Sequence, residues 1–206
     1  GFRERYGARC KRIVFVNNHR PRIANLLFRF WNLLTGHNSV RWLYSRKFQR
    51  ALDELVRSEK FDLIHCCTPL FGYFNLPRDV PIVGDAHNVA YDFFLRTYQQ
   101  EKNPFLKLYF YFDYLLMKRE EPPVTDKSDV VLATTSVDRE KFVQLLPNKP
   151  IVVIPNGVEA AFFEKQAVAE EPKTMVFTGL MSYQPNSQGI EFFLDEIFPL
   201  ILEQEP

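Results

Sequence analysis

An α/β fold built on a mostly parallel sheet is predicted by three features of this sequence. Short runs rich in Val and Ile alternate along it with longer stretches of helical period. One such run, ending at Ala133, leads directly into Thr135 and Asp138, which have the spacing of a helix capping box. At 206 residues the chain is also long enough for one sizeable core plus an appendage, and too short for two full domains.

Taken in order, the strands are expected at residues 12–16, 61–66, 81–85, 129–133, 151–154 and 174–178. A first helix, from Ile23 to Leu34, should stop at Gly36, a residue suited to the left-handed conformation just past a helix end. Ser45 can cap the next helix, whose apolar positions Phe48, Ala51, Leu52, Leu55 and Val56 recur at three and four residues. From Asn103 to Met117 aromatics abound and only Lys107 and Asp113 are charged, which fits a buried helix or a surface helix dipping into lipid. The helix begun at Thr135 should run toward Leu146, before Pro147. Residues 159–172 are acidic, have no strand pattern and end in Pro, so they read as a linker at a domain boundary. Beyond them the pattern restarts as a strand, a Gly loop and a helix with Ile190, Phe193, Leu194 and Ile197 on one face. With no second strand to pair it, that strand should dock on the first domain, stay mobile or associate with another chain.

Composition narrows the function. The hydrophobic fraction is 46%, with 20 Phe and 9 Tyr, enough burial to offset ordering entropy. Lys plus Arg (26) balances Asp plus Glu (25), which argues against a domain built to hold nucleic acid. The first 50 residues are nevertheless basic, from Arg3 to Arg50, either as a solvated face or as a footprint for a membrane surface or a phosphate. Cys10, Cys66 and Cys67 suit neither a disulfide framework nor a zinc site, and a reducing cytoplasm fits best. No stretch reaches the ~18 apolar residues of a membrane span.

Several chemical motifs are absent: GxGxxG, GxxxxGK[ST], DxD, GxSxG and any His/Cys cluster at metal-ligand spacing. No metal is expected. In open parallel sheets ligands gather beyond the carboxyl ends of the strands, and two loops there qualify. One contains His87 and Asn88 after PIVGDA; the imidazole could exchange a proton with a sugar hydroxyl, a nearby carboxylate fixing its tautomer, or it could be a structural hydrogen-bonder. His65, inside DLIHCC, reads as a satisfied core or strand-end residue. The other loop starts at Gly179, where a small residue lets backbone N–H groups approach a phosphate, or simply makes a tight turn.

FDLIHCC, PIVGDAHNVAYDFF, KREEPPVTDKSDVVLATTSVDREKF, IVVIPNGVEAAFF and MVFTGLMSYQPNSQGIEFFLDEIFPLI, in that serial order, resemble successive blocks of the retaining glycosyltransferases of family 4, of the GT-B fold. NSVRWLYSRKFQRALDEL is similar to the segment that precedes these blocks in bacterial members building surface polysaccharides, so the resemblance spans residues 35 to 206. It implies two Rossmann-like domains, the first holding acceptor and the second a nucleotide sugar. It also implies that His87 is the cleft histidine against the transferred sugar, with Asn88 and Ser136 contacting donor or acceptor. Gly179 would meet the donor diphosphate, and Asn156-Gly157 would make the turn into the interdomain linker. The chain departs from the family in lacking the Gly-rich loop after the first strand and the second domain's paired-glutamate motif. It also has Pro185-Asn186 where Lys-Gly is usual, although a branch of the family reads YxPN there.

The expected organisation is therefore an acceptor-side Rossmann-like domain over residues 1–158 without its first strand, a linker over 159–173, and the first strand and helix of a donor-binding domain over 174–206. The expected activity belongs to a larger, cytoplasmic parent enzyme, in which a sugar passes from a nucleoside diphosphate sugar to a carbohydrate or lipid-linked acceptor without a cofactor. This fragment itself should be inactive. Two rivals are a non-catalytic polysaccharide- or membrane-binding scaffold, and a nucleotide-dependent oxidoreductase or epimerase on the same sheet.

Overall fold

The computed structural model describes residues 7, 10–17, 21–160 and 171–204. The chain divides into two compact units, Gly1–Gly157 and Val158–Pro206.

In the first unit β1 (Ile64–Cys66), β2 (Ile82–Ala86), β3 (Val130–Ala133) and β4 (Ile151–Val153) form one parallel sheet in the order β1-β2-β3-β4. Ala86 lies opposite Ala133 and Ala133 opposite Val153, so the carboxyl ends of β2, β3 and β4 come level, while β1 ends at Cys66 opposite Gly84, two residues short of them. Parallel neighbours need crossovers. A 3₁₀ turn at Pro69–Tyr73 joins β1 to β2; α3 (Ala90–Gln100) and α4 (Pro104–Thr125) join β2 to β3; α5 (Ser136–Leu145) joins β3 to β4. Upstream lie α1 (Arg22–Leu34), a 3₁₀ turn at Ser39–Leu43 and α2 (Arg46–Ser58).

Strand alternation sends one set of side chains into the core. Ala86, Val131, Ala133 and Ile151 pack with Val89 and the fully buried Phe142 of α5. The opposite face carries His65, Val83, Asp85, Leu132 and Val152, which are half-buried or exposed. Asp129 aligns the β2–β3 ladder, its carboxylate accepting from the Ile82 amide at 2.7 Å while its own amide donates to the Ile82 carbonyl at 2.8 Å.

Helix starts follow the local signals. Ser45 accepts from the Phe48 amide at 3.3 Å to cap α2, and Thr135 accepts from the Asp138 amide at 3.0 Å to cap α5. Gly36, at φ +74°, ends α1 as expected.

Two expected strands are corrected. Residues 11–17 pair with no strand among the described residues; Lys11 and Arg12 instead reach Glu59 at 2.8 and 3.7 Å. An apolar alternation becomes a strand only through a ladder partner, and none runs beside it. The same reason applies to residues 174–178, which follow Lys173 in a left-handed conformation (φ 57°) and are irregular. Residues 161–170 of the expected linker lie outside the described residues, as do Arg3, Arg5, Arg9 and Arg20 of the basic segment.

The aromatic helix also differs from expectation. It runs to Thr125, through Pro122 and Pro123, although the missing amides leave the Lys118 and Arg119 carbonyls without their i+4 donors. Burial of Glu121, Val124 and Thr125 and side-chain ties from Glu120 and Glu121 hold this last turn. Neither a buried nor a surface helix describes α4 alone: Asp113 and Met117 face inward while Phe105, Leu108, Phe112 and Leu115 are exposed.

The inward side of α4 organises the segment after α1. Asp113, fully buried, accepts from the Asn38 side-chain amide at 2.9 Å, the Ser39 backbone amide at 2.8 Å and the Ser39 hydroxyl at 2.6 Å. Glu120 takes the Tyr73 hydroxyl at 2.7 Å, His37 Nδ1 at 3.1 Å and the Asn38 amide at 3.2 Å. Burial and the neighbouring Glu120 carboxylate push the Tyr73 hydroxyl well above the usual tyrosine range.

Gly72 sits where α4 crosses the second 3₁₀ turn. A Cβ there would lie 2.0 Å from the Val124 carbonyl oxygen, a backbone atom that cannot turn aside. Gly72→Ala is expected to lower stability by about 3 kcal/mol, read as a shift of the urea midpoint at constant slope.

The second unit contains α6 (Gln184–Phe192) and α7 (Phe198–Gln204), joined without a break by a π-helical turn at Phe193–Ile197. Pro199 has no amide to give Asp195, and the wider turn falls immediately before it.

Candidate functional site

The carboxyl ends of β2 and β3 carry the two loops that form the candidate site. Chain direction after Ala86 brings out His87 and Asn88, both exposed, before the buried Val89 anchors the start of α3. After Ala133 the chain presents Thr134, Thr135 and Ser136, with Ser136 exposed in the first turn of α5. The two loops are tied together: the Thr134 hydroxyl donates to the His87 carbonyl at 3.1 Å. His87, Asn88 and Ser136 thus belong to one rim, while Asn156 and Gly157 follow β4 on the same sheet edge and are exposed.

The expectation that a carboxylate fixes the His87 ring changes in one respect. The nearest candidate in sequence, Asp85, lies 3.5 Å from His65 Nε2 instead. Pairing of His65 with Val83 places Asp85 diagonally across on the same face, which the one-residue alternation denies to its neighbours. His65 is therefore an exposed strand residue with an acidic partner rather than a satisfied core residue.

A residue that the sequence reading passed over governs the His87 loop. Glu121, almost fully buried, accepts from the Ala90 and Tyr91 amides at 2.7 Å each, closing the N-terminus of α3 three residues beyond His87. A carboxylate therefore occupies the place where a helix N-terminus would otherwise hold a phosphate. Burial pushes the Glu121 carboxyl up to about 7, against the opposite pull of the two amides. No local pattern in the sequence marks this role, because the amides that Glu121 accepts lie 30 and 31 residues away in the chain.

Its pH dependence has a definite sign. Between about pH 4.5 and 7 the folded chain holds a proton that the unfolded chain has released, so the contribution of this group is complete at low pH and lost as pH rises through 7. The loss is on the order of 3 kcal/mol. Urea unfolding from pH 4 to 8 should show this slope in the native sequence, and Glu121→Gln should flatten it.

A cavity lies elsewhere in the first unit. A space of about 590 Å³ bounded by Asn75, Arg78, Ile82, Asp126 and Asp129 opens at the amino ends of β2 and β3, away from the rim on which His87 stands. Its position is that of a structural cleft rather than of the site the strand directions favour.

Gly179 belongs to the second unit. A Cβ on it would lie 2.8 Å from the Asn186 side-chain nitrogen, and Asn186 in turn donates to the Leu180 carbonyl at 3.2 Å. The side chain of Asn186, in the first turn of α6, therefore folds back over this glycine.

A family model, Glycosyltransferase Family 4, matches residues 5–162. The chain belongs to glycosyltransferase family 4. The match covers the whole sheet and both loops of the rim. No curated protein and no solved structure matches the chain. For a glycosyltransferase of this family, the α/β architecture with a four-stranded parallel sheet is that of a Rossmann-like GT-B N-terminal domain, and sugar donor and acceptor are its general partners. Among the described residues no helix is long and apolar enough to cross a membrane.

Proposed function

We propose that this glycosyltransferase moves a sugar, with retention, from a nucleoside diphosphate sugar to a carbohydrate or lipid-linked acceptor at the cytoplasmic side of a membrane, in the building of surface polysaccharide. The first unit serves the acceptor and the second begins the donor-binding domain. The observation that carries this reading is the rim of His87, Asn88 and Ser136, held together by the Thr134 hydroxyl at the carboxyl edge of a parallel sheet. The occupied N-terminus of α3 supports the assignment of the first unit to acceptor, because its Ala90 and Tyr91 amides are already spent on Glu121.

In this reading His87 meets the transferred sugar and steadies it through hydrogen bonds, while Asn88 and Ser136 hold hydroxyls of donor or acceptor. The Gly179 loop and the start of α6 meet the donor diphosphate, whose developing charge is stabilised by backbone amides and basic groups, with no cofactor.

The test is a panel of UDP-, GDP- and ADP-sugars incubated with the full-length protein, following saturable binding and nucleotide release. Release that depends on His87 supports the reading and identifies the donor class. Absence of binding to every sugar nucleotide overturns it.

A further inference from the structure

We propose that the outward faces of α1 and α4 form one surface that beds into the interface of an anionic phospholipid bilayer. The first observation is that α1 is turned inside out. Its polar Asn25, Arg29 and Asn32 point toward the protein body, where Asn32 is buried and the Arg29 cation favours the ionised form of Asp113. Its apolar stripe, Ile23, Leu26, Leu27, Phe30, Trp31 and Leu34, has regular helical spacing and is exposed, Ile23 at 75% and Leu34 at 69%. Helices of globular proteins turn such stripes inward.

The second observation is continuity. Phe105, Leu108, Phe112 and Leu115 of α4 are also exposed and follow one another on one side of that helix. Together with Phe30 and Leu34 they line a groove of about 500 Å³ between the two helices. The apolar surface is thus a single patch across two elements, larger than the scattered residues of an ordinary surface.

Charge selects the occupant. Between Glu4 and Asp53 the sequence has no acidic residue and eleven Lys and Arg, although Lys11 and Arg12 are held by Glu59 and Arg29 turns toward Asp113. From residue 102 to 119 the single carboxylate, Asp113, is fully buried, whereas Lys102, Lys118 and Arg119 are exposed. The exposed charges on the α4 side of this face are therefore cationic, and no exposed carboxylate lies among them. A second copy of the chain would set cations against cations; an anionic headgroup layer above hydrocarbon complements both kinds of group. Neither helix meets the length and hydropathy of a spanning segment, so the contact is interfacial.

The surface is independent of the sugar-transfer reading, and vesicle binding is measured without any sugar. With Trp42→Phe, Trp31 is left as the sole tryptophan and reports on the stripe itself. Vesicles of phosphatidylcholine mixed with phosphatidylglycerol should sediment the protein and shift Trp31 emission to shorter wavelength at low salt. Phosphatidylcholine alone should do so at least about tenfold more weakly, and raised salt should abolish the difference. Leu26→Ser with Phe105→Ser, both at exposed positions and checked for an unchanged circular dichroism spectrum, should weaken binding by at least about tenfold.

Equal binding to both vesicle types, or none, overturns the proposal. So does self-association abolished by the same substitutions, which would make the face a contact between copies. Protection of Trp31 from quenchers in lipid-free full-length protein would also overturn it, by assigning the face to another part of the same chain.

Discussion

Replacing His87 with alanine is expected to lower sugar transfer by about 100-fold or more while leaving the folded state intact. The two halves of that expectation rest on different atoms. The side chain is exposed on the rim, so its removal leaves no cavity. The loop is held through the His87 backbone carbonyl, which accepts the Thr134 hydroxyl and survives the substitution, and through Val89, which is anchored in the core. Thermal unfolding should shift by less than about 0.5 kcal/mol in equivalent stability. A rate loss expressed in kcat, with substrate binding retained, would place His87 in the transition state; a loss confined to KM would make it a binding group. Near-normal turnover would remove it from the chemistry.

Asp113→Ala should give the largest loss of stability, about 3–4 kcal/mol by urea unfolding. Burial raises the Asp113 carboxyl above its ordinary range, while the bonds from Ser39 and the nearby Arg29 cation pull it back. Deleting the carboxylate leaves the Ser39 amide and the Ser39 hydroxyl without their acceptor and removes one of two bonds from the Asn38 side-chain amide, which keeps the Asp113 backbone carbonyl at 2.8 Å; Asn38 and Ser39 are themselves almost completely buried. Asp113→Asn keeps an acceptor and should cost less than half as much. Equal losses for the two variants would show that packing rather than hydrogen bonding holds the segment after α1.

Elements whose cause is local were legible from sequence. The Ser45 and Thr135 caps and the Gly36 stop depend on neighbours within a few residues, and the four strands that find ladder partners lie within a residue or two of expectation, apart from β1, where 61–63 remain outside the ladder. The misses depend on partners distant in the chain. Residues 12–16 and 174–178 have strand composition without a ladder neighbour. The continuation of α4 through Pro122 and Pro123 rests on contacts with Tyr73 and with the start of α3, some 30 to 50 residues away.

The candidate rim divides in the same way. His87 and Ser136 could be located because they follow strands, which local pattern reveals. Glu121 could not, because its role exists only once α4 lies across the first turn of α3. Likewise the pairing of Asp85 with His65 depends on the β1–β2 register, which composition does not disclose.

The carboxylates of α4 also constrain how this sequence can vary in length. Asp113, Glu120 and Glu121 each meet a different part of the chain from one uninterrupted helix. Inserting or deleting one residue between Asp113 and Glu120 would rotate the remainder by about 100° and slide it about 1.5 Å, carrying both glutamates off their amides. The interval from 113 to 121 therefore acts as a ruler of fixed length.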